Sequence, residues 1–193
     1  MTRRFLRSTA MTVVALATAA PVAHASAPRG AGGFTIGLGL GLGVQTLSPD
    51  DGDSESEFGL AGLNLRIGGF LSPNLAILFK VTGTVVNRDV TGGEATYTHA
   101  MGGPAVQYFF NDRLHLDLGA GVSALRAEAK VETPRGDFNI SVDDNAFGVL
   151  GGLGYIVGQS GEHALLLSLE LGAGLHDDGN AYSTGFVVNW QWL

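Results

Sequence analysis

The sequence predicts an all-β protein, an eight-stranded antiparallel up-and-down transmembrane β-barrel preceded by a cleavable signal peptide. Apolar side chains recur at every second position in eight segments, which is the spacing that a sheet with two unlike faces requires. Compact turns and longer polar stretches alternate between these segments. The N-terminal residues have the order of parts of a secretory signal. Together these features indicate a closed sheet behind an export signal.

The signal peptide is the first element of the chain. Three arginines, at positions 3, 4 and 7, precede an apolar stretch of eleven residues from Ala10 to Ala20 and an Ala-His-Ala sequence at 23 to 25. Eleven residues are too few for a membrane helix, which needs about 20, so we expect cleavage. The predicted division is a signal peptide over 1–25, a flexible N-terminal segment over 26–33 and the barrel domain over 34–193.

Composition limits the chemistry of the remaining chain. There is no cysteine, which excludes disulfides, a thiol nucleophile and a thiolate metal site. Three of the 11 Lys and Arg lie in the signal peptide, so eight remain against 18 Asp and Glu, a net charge of −10. Nucleic acid is therefore not an expected partner. The later apolar runs are broken too often for a membrane helix, so only strands can cross a membrane.

The first predicted strand, residues 34–46, shows the clearest alternation. Phe34, Ile36 and the leucines at 38, 40 and 42 fall on one face, whereas Thr35 and the glycines at 37, 39, 41 and 43 fall on the other. A helix would scatter these leucines and would lose roughly 1 kcal/mol at each glycine. The glycines lack the Lys-Ser/Thr ending and the following helix of a phosphate loop, so they are expected to provide space inside the barrel.

Seven further segments alternate in the same way, although the phase of 138–157 is less clean. Lys80 and Glu170 each stand between apolar neighbours in mid-strand. The seven predicted strands are 58–70, 75–87, 94–110, 114–131, 138–157, 164–175 and 181–192.

Two kinds of connection alternate between the strands. Turn-forming residues make compact links at 72–74, 111–113 and 158–163, and the other links, at 47–57, after Asn87, at 133–137 and at 176–180, are longer and more polar. Compact turns in the periplasm and longer loops outside are typical of an outer-membrane barrel. Eight strands then place both ends of the barrel domain on the periplasmic side.

The alternation changes phase at two places. The outward set switches from even to odd positions between Leu118 and Val131, and it switches again between Val142 and Phe147. A β-bulge, or a strand end that projects past the lipid, would explain each change. The sequence leaves both explanations open.

The two faces also distinguish a membrane barrel from a soluble one. A soluble barrel of the lipocalin kind turns its apolar face inward. Here one face is nearly unbroken Leu, Ile, Val and Phe, and the other is Gly, Thr, Ser and single charges. Small residues fit a narrow lumen and bulky apolar residues fit lipid, and so wide an apolar band on a soluble monomer would cause aggregation. Outer-membrane lipid is therefore an expected partner.

The stretch PAVQYFFNDRLHLDLGAGV (104–122) joins a strand that ends in aromatics to a strand that opens with alternating leucines, and the sequence closes on YSTGFVVNWQW. In these features the chain resembles the small outer-membrane β-barrel family of the OmpA and OmpX type, over nearly all of the predicted mature chain. The resemblance implies a monomer in the outer membrane of a Gram-negative bacterium, inserted by the barrel assembly machinery. It implies no particular function, because such barrels share architecture and little else.

The end of the last strand departs from that family, whose members usually finish on an outward aromatic residue. Here Leu193 follows Trp192, so the aromatic signal is displaced by one position. The residues expected to form an interfacial aromatic girdle at the periplasmic rim are Tyr108, Phe109, Phe110, Trp190 and Trp192.

No catalytic constellation is recognisable along the sequence. The histidines of the barrel domain, at 99, 115, 163 and 176, are not in the His-x-Ser arrangement of lipid A deacylase barrels, and no G-x-S-x-G elbow occurs. His115 lies two residues from Asp117, which can orient an imidazole, but no serine partner is obvious. We therefore expect no enzymatic activity, no cofactor and no metal site.

Acidic residues concentrate in the predicted outer loops. Asp177 and Asp178 lie in the last of these loops, and the first is denser. Carboxylates at this density can bind Ca²⁺ or Mg²⁺ weakly, or repel anionic partners, although the spacing is not that of a calcium loop. The acidic loop consists of Asp50, Asp51, Asp53, Glu55 and Glu57.

Four charges are predicted to point into the lumen, namely Arg66, Lys80, Asp117 and Glu170. Each stands between outward apolar residues and lies four to seven residues from a periplasmic turn, which gives a height of roughly 10 to 18 Å. They should share one layer of zero net charge. An unpaired buried charge costs several kcal/mol, so each should find a partner across the lumen. The alternative is a wet pore with solvated charges.

Two classes of function follow from these features. The first is a non-enzymatic surface barrel, acting in envelope integrity, adhesion or loop-mediated binding. The second is a small pore or ligand-binding barrel with a partly open, glycine-lined lumen. Eight strands enclose little more than their own side chains, which favours the first class.

Overall fold

Eight antiparallel strands form a closed barrel in the computed structural model, which describes residues 32–90, 93–133 and 136–193. Each strand pairs with the next along the chain, and the last pairs with the first, which confirms the predicted fold class. No helix in these ranges is long and apolar enough to cross a membrane. The predicted signal peptide and most of the segment 26–33 lie outside the described residues. The strands are β1 (Phe34–Pro49), β2 (Glu55–Ser72), β3 (Leu75–Val90), β4 (Gly93–Phe109), β5 (Leu114–Thr133), β6 (Gly136–Ser160), β7 (His163–His176) and β8 (Gly179–Trp192).

The compact turns all lie at one end of the barrel, as predicted. They connect β2 to β3, β4 to β5 and β6 to β7. In the second of them, the Asn111 side-chain oxygen accepts hydrogen bonds from the amides of Arg113 and Leu114, both at 2.9 Å. Ile36 of β1 pairs with Trp192 of β8, so the start of the first strand and the end of the last meet at this same end.

The opposite connections are shorter than predicted, because the strands continue into them. Only residues 50–54 separate β1 from β2, and only 177–178 separate β7 from β8. Two members of the predicted acidic loop, Glu55 and Glu57, therefore belong to β2, where they pair with Leu47 and Gln45. The apolar alternation ends earlier than the strands because backbone pairing does not require an apolar face. The prediction of long loops at this end was wrong.

Both phase changes have the same cause, a hairpin that extends beyond the apolar belt. The β5–β6 pairing is unbroken from Leu114 opposite Tyr155 to Thr133 opposite Gly136, so no bulge interrupts it. Along the upper part of β5 the exposed outward positions are Arg126 and Glu128, whereas Leu125 and Ala127 turn inward. The projecting strand end is therefore the correct explanation.

Apolar side chains cover the outside of the barrel, and the inside is mixed. Large apolar and aromatic residues on all eight strands are exposed on the surface, including Leu40, Phe58 and Phe186 at 66%, 68% and 55%. The interior holds polar and charged residues in its middle and an apolar cluster near the compact turns. Water would be a poor solvent for the outer surface.

One member of the predicted aromatic girdle points the other way. Tyr108 and Phe110 are exposed at 45% and 54%, but Phe109 between them is fully buried. Its ring lies 6.0 Å from that of Phe70 inside the barrel. Strand alternation makes this unavoidable, because neighbours in a strand face opposite sides. Phe109 is thus part of the interior and not of the girdle.

Candidate functional site

The middle of the lumen contains the four charges that the sequence placed there. Arg66 and Lys80 are direct partners in the β2–β3 ladder. Asp117 projects from β5 and Glu170 from β7, on the other side of the ring. The first three side chains are 0% exposed and that of Glu170 is 3% exposed. The structure therefore brings all four into one buried layer.

Each cation in this layer contacts both carboxylates. Lys80 Nζ lies 2.7 Å from Asp117 Oδ2 and 2.5 Å from Glu170 Oε2. The Arg66 guanidinium lies 3.4 Å from Asp117 Oδ2 and 3.0 Å from Glu170 Oε1. Two adjacent like charges would repel each other, and the carboxylates between them remove that repulsion. We call these four residues the charge network; its net charge is zero.

Glycines on the facing strands make room for the network. A Cβ on Gly152, which lies between Asp117 and Glu170 across β6, would come within 2.6 Å of Glu170 Oε2 and 3.0 Å of Lys80 Nζ. A Cβ on Gly37 would come within 2.7 Å of Arg66 Cγ. The inward glycines therefore provide space for long charged side chains, as the composition of β1 suggested.

Uncharged polar side chains surround the network. Arg66 also donates to Gln191 Oε1 at 3.4 Å and to Asn64 Oδ1 at 3.3 Å. Gln191 in turn donates to Gln107 at 2.9 Å and to Thr35 at 3.0 Å. These bonds stabilise the buried ion pairs, because each polar atom that finds a partner lowers the cost of burial. Arg66 Nε and Asp117 Oδ1 have no hydrogen-bond partner among the described residues.

An apolar plug closes the lumen between this layer and the compact turns. It is formed by inward side chains near the turn ends of their strands, all less than 10% exposed. Together with the charge network, these buried side chains occupy the lumen from its middle to the compact-turn end. The members of the plug are Phe70, Ala76, Leu78, Phe109, Ile156, Ala164, Leu166 and Leu193.

A second polar cluster lies higher in the lumen, and sequence reasoning missed it. Ser123 Oγ is 2.9 Å from His99 Nε2 and 3.0 Å from His176 Nε2. His176 Nδ1 is 2.6 Å from Asp144 Oδ2. The members come from β4, β5, β6 and β7 and are far apart along the chain, so no short motif joins them. We call this cluster the histidine relay.

His115 does not belong to the relay. It lies lower in the lumen, with Nε2 3.7 Å from Asp117 Oδ1 and 3.4 Å from Arg66 Nη1. The predicted orientation by Asp117 is thus a loose contact at the edge of the charge network.

The residues of the predicted acidic loop lie at the open end of the barrel, which we call the mouth. Glu55 and Glu57 lie 3.6 and 3.1 Å from Arg88 Nη1. A cavity of about 410 Å³ opens between the strand ends here. The walls of the cavity combine apolar side chains with carboxylates. The structure does not bring the acidic residues at the mouth into contact with the charge network. The cavity is lined by Leu47, Ser48, Pro49, Gly52, Asp53, Glu55, Leu125, Asp144, His176, Asp178, Gly179 and Asn180.

No protein-family model matches this sequence, and no curated protein matches it. Its structure is similar to solved structures of small outer-membrane barrels. The attachment invasion locus protein Ail of Yersinia pestis matches with a TM-score of 0.60 at 11% identity, over 82% of this chain and 98% of that one. Ail in complex with the heparin analogue sucrose octasulfate matches with a TM-score of 0.62 at 11% identity, over 82% and 99%. Neisserial surface protein A matches with a TM-score of 0.50 at 18% identity, over 82% and 96%. The chain therefore has the fold of the small eight-stranded outer-membrane β-barrels.

Proposed function

We propose that this protein is a sealed barrel of the Gram-negative outer membrane, which acts at the cell surface through the acidic residues at its mouth. One observation carries the proposal: a charge-neutral network and an apolar plug fill the lumen of a barrel whose outside is apolar. A filled lumen leaves the envelope intact, and the groups free to meet partners are those at the mouth. Envelope integrity, adhesion and loop-mediated binding all fit this design.

The two surfaces of the barrel support the membrane location. The exposed apolar residues need a hydrocarbon environment. At the compact-turn end, Trp190 and Trp192 flank His163, whose ring lies 5.4 Å from the first and 6.2 Å from the second. Trp192 also donates to Glu162 at 2.6 Å. Aromatic rings with one polar contact are favoured at a membrane interface.

The charge of the mouth limits the class of partner. Ail has been solved with a heparin analogue, a polyanion. The mouth of this chain carries clustered carboxylates, so polyanions should be repelled and cationic partners or divalent cations favoured. We therefore do not extend polyanion binding to this chain.

Two measurements on the chain folded in detergent test the proposal. Unboiled and boiled samples should migrate differently on SDS gels, because a closed barrel resists unfolding by SDS at room temperature. In a planar bilayer, the folded protein should show no steady conductance. Identical mobility together with good solubility without detergent would refute the membrane barrel, and a stable open channel would refute the seal.

A ligand-binding barrel is the second candidate, and the mouth cavity favours it. The volume of about 410 Å³ lies within the range of small-molecule sites. Protection of the cavity carboxylates from a carboxylate-reactive reagent by a small organic cation would favour this candidate. No protection by any cation would leave the surface-barrel role.

A further inference from the structure

The histidine relay has the geometry of a nucleophile, a base and an orienting carboxylate. The Ser123–His176 and His176–Asp144 distances, 3.0 and 2.6 Å, are both within hydrogen-bond reach. These residues lie on three consecutive strands: Ser123 is opposite Ala146 on β6, and Asp144 comes two residues before Ala146, opposite Leu125. The β5–β6 ladder fixes the positions of Ser123 and Asp144 along their strands, and His176, the last residue of β7, contacts both.

The hydrogen-bond chemistry assigns a role to every nitrogen in the relay. A carboxylate only accepts, so His176 Nδ1 must carry the proton that is shared with Asp144. In the neutral imidazole, which is the form that acts as a base, His176 Nε2 is then an acceptor, and the Ser123 hydroxyl donates to it. The remaining contact to Ser123 Oγ must be a donor, so His99 Nε2 carries a proton. His99 Nδ1, which has no partner among the described residues, is then a bare acceptor, which is less costly to bury than an unpaired N–H.

This assignment also provides a donor for a developing oxyanion. The backbone groups around Ser123 are engaged in the ladders with β4 and β6, so they are not free to form an oxyanion hole. His99 Nε2–H lies 2.9 Å from Ser123 Oγ and is not the base. An N–H in this position can donate to a carbonyl oxygen attached to the carbon that Oγ attacks.

We propose that Ser123, His176, Asp144 and His99 form an ester-hydrolysing site in the upper lumen, specific for short acyl groups that enter from the mouth cavity. Ser123 is the nucleophile, His176 the general base and His99 the oxyanion donor. Asp144 is a positioning residue that acts through His176. This activity goes beyond the proposed surface role and departs from the non-enzymatic expectation.

Burial determines which substrates can react. Ser123 is 0% exposed, and it lies two residues below Leu125, which lines the mouth cavity together with His176 and Asp144. A reacting group must therefore pass the floor of the cavity, which only a short acyl chain can do. The carboxylates at the mouth favour esters with a neutral or cationic alcohol part over esters with an anionic alcohol part.

The reaction balances with water as the co-reactant. Ser123 Oγ bonds to the acyl carbon while its proton passes to His176 Nε2, and the carbonyl electrons move to the oxygen that faces His99. The tetrahedral species collapses, and the leaving alcohol takes the proton from His176. Water then attacks the acyl carbon with its proton going to His176, and Ser123 recovers that proton as the carboxylic acid leaves.

Covalent labelling tests the site on the full chain folded in detergent. Methanesulfonyl fluoride, whose single methyl group is similar in size to an acetyl group, should add one methylsulfonyl group, with loss of fluoride, and peptide mapping should place it on Ser123. The labelling rate should fall about 100-fold in His176→Gln and by a similar factor in His99→Gln. Asp144→Asn should lower the rate and Asp144→Glu should restore part of it. Ser168→Ala, which alters another buried lumen serine, should label like the wild type.

The substrate preference supplies a second readout. p-Nitrophenyl acetate should be hydrolysed faster than p-nitrophenyl octanoate, and Ser123→Ala should abolish both reactions while keeping the heat-dependent gel shift of a folded barrel. Absence of label from Ser123 in the folded wild-type protein would overturn the site, as would equal labelling of His176→Gln. Either result leaves the sealed-barrel proposal intact, because conductance and gel mobility test that separately.

Discussion

At the scale of single residues, the charge network determines which substitutions inside the barrel are destabilising. Lys80 is shared by two carboxylates at 2.7 and 2.5 Å, with no exposed surface. Breaking a buried ion pair by removing one partner costs about 3 to 5 kcal/mol, since the other charge is left uncompensated. Pairs at the surface contribute about 0 to 1 kcal/mol. The contribution of an ion pair to the stability of the barrel therefore depends on whether the pair is buried or exposed.

Lys80→Met should lower the free energy of unfolding by about 3 to 5 kcal/mol, because it leaves two carboxylates facing only Arg66. The double variant Lys80→Met/Glu170→Gln restores neutrality and should recover part of this loss. Urea unfolding in detergent micelles, followed by tryptophan fluorescence, measures both changes.

Arg126→Gln is the matched control, since its pairs with Glu128 and Asp143, at 2.6 and 3.5 Å, are solvent-exposed. It should change stability by less than about 1 kcal/mol. Equal losses in Lys80→Met and Arg126→Gln would show that the buried layer does not behave as a coupled network.

At the scale of elements, the β5–β6 hairpin stands apart from the other strands. It has the longest strands of the barrel, at 20 and 25 residues, and its outer part carries charges on the outward face. Charged side chains are costly in lipid, so this part projects into solvent. Its register continues without interruption, and so it can be shortened without disturbing the ladder beneath.

Replacing residues 127–142 with an Asn-Gly turn should leave a folded barrel. The deletion joins Arg126 to Asp143, which are already direct partners in the ladder, and a two-residue turn fits such a connection. Gel mobility with and without boiling, and the urea midpoint, should stay close to those of the wild type.

The opposite result has an equally clear meaning. If the shortened chain no longer showed the heat-dependent gel shift, the projecting part would be required for folding and not only for the surface. Gly83→Leu serves as the positive control for a folding defect. A Cβ at this position would lie 2.8 Å from the His99 carbonyl oxygen, so the substitution should disturb a strand within the barrel.

At the scale of the whole molecule, an even number of strands and the position of the turns determine orientation. The three compact turns and both ends of the described barrel lie together, and the residues of the predicted acidic loop lie at the opposite end. Outer-membrane barrels place their compact turns in the periplasm. The acidic mouth should therefore face the cell exterior.

Proteinase K added to intact cells should cut the chain between Asp50 and Ser54, because this is the longest connection at the mouth and its residues are exposed. The link at 161–162 should be cut only after the outer membrane is opened. Cleavage of intact cells confined to 161–162 would reverse the orientation. A periplasmic protein that stays uncut is the control for membrane integrity.

The sequence alone determined the strand number, the two faces of the sheet, the compact turns and the four inward charges. All of these depend on alternation with a period of two, which is a local property of the chain. The inward position of Lys80 follows from its two neighbours and needs no knowledge of distant strands.

Tertiary structure decided what local patterns cannot encode. The strands extend beyond the apolar alternation because backbone pairing across a ladder continues with polar side chains. Phe109 joins the plug because its neighbours already occupy the outer face. Asp144 and His176 meet Ser123 only because β5, β6 and β7 are adjacent in the closed ring. Contacts between residues so distant in sequence depend on the register of three strands, which no short motif records.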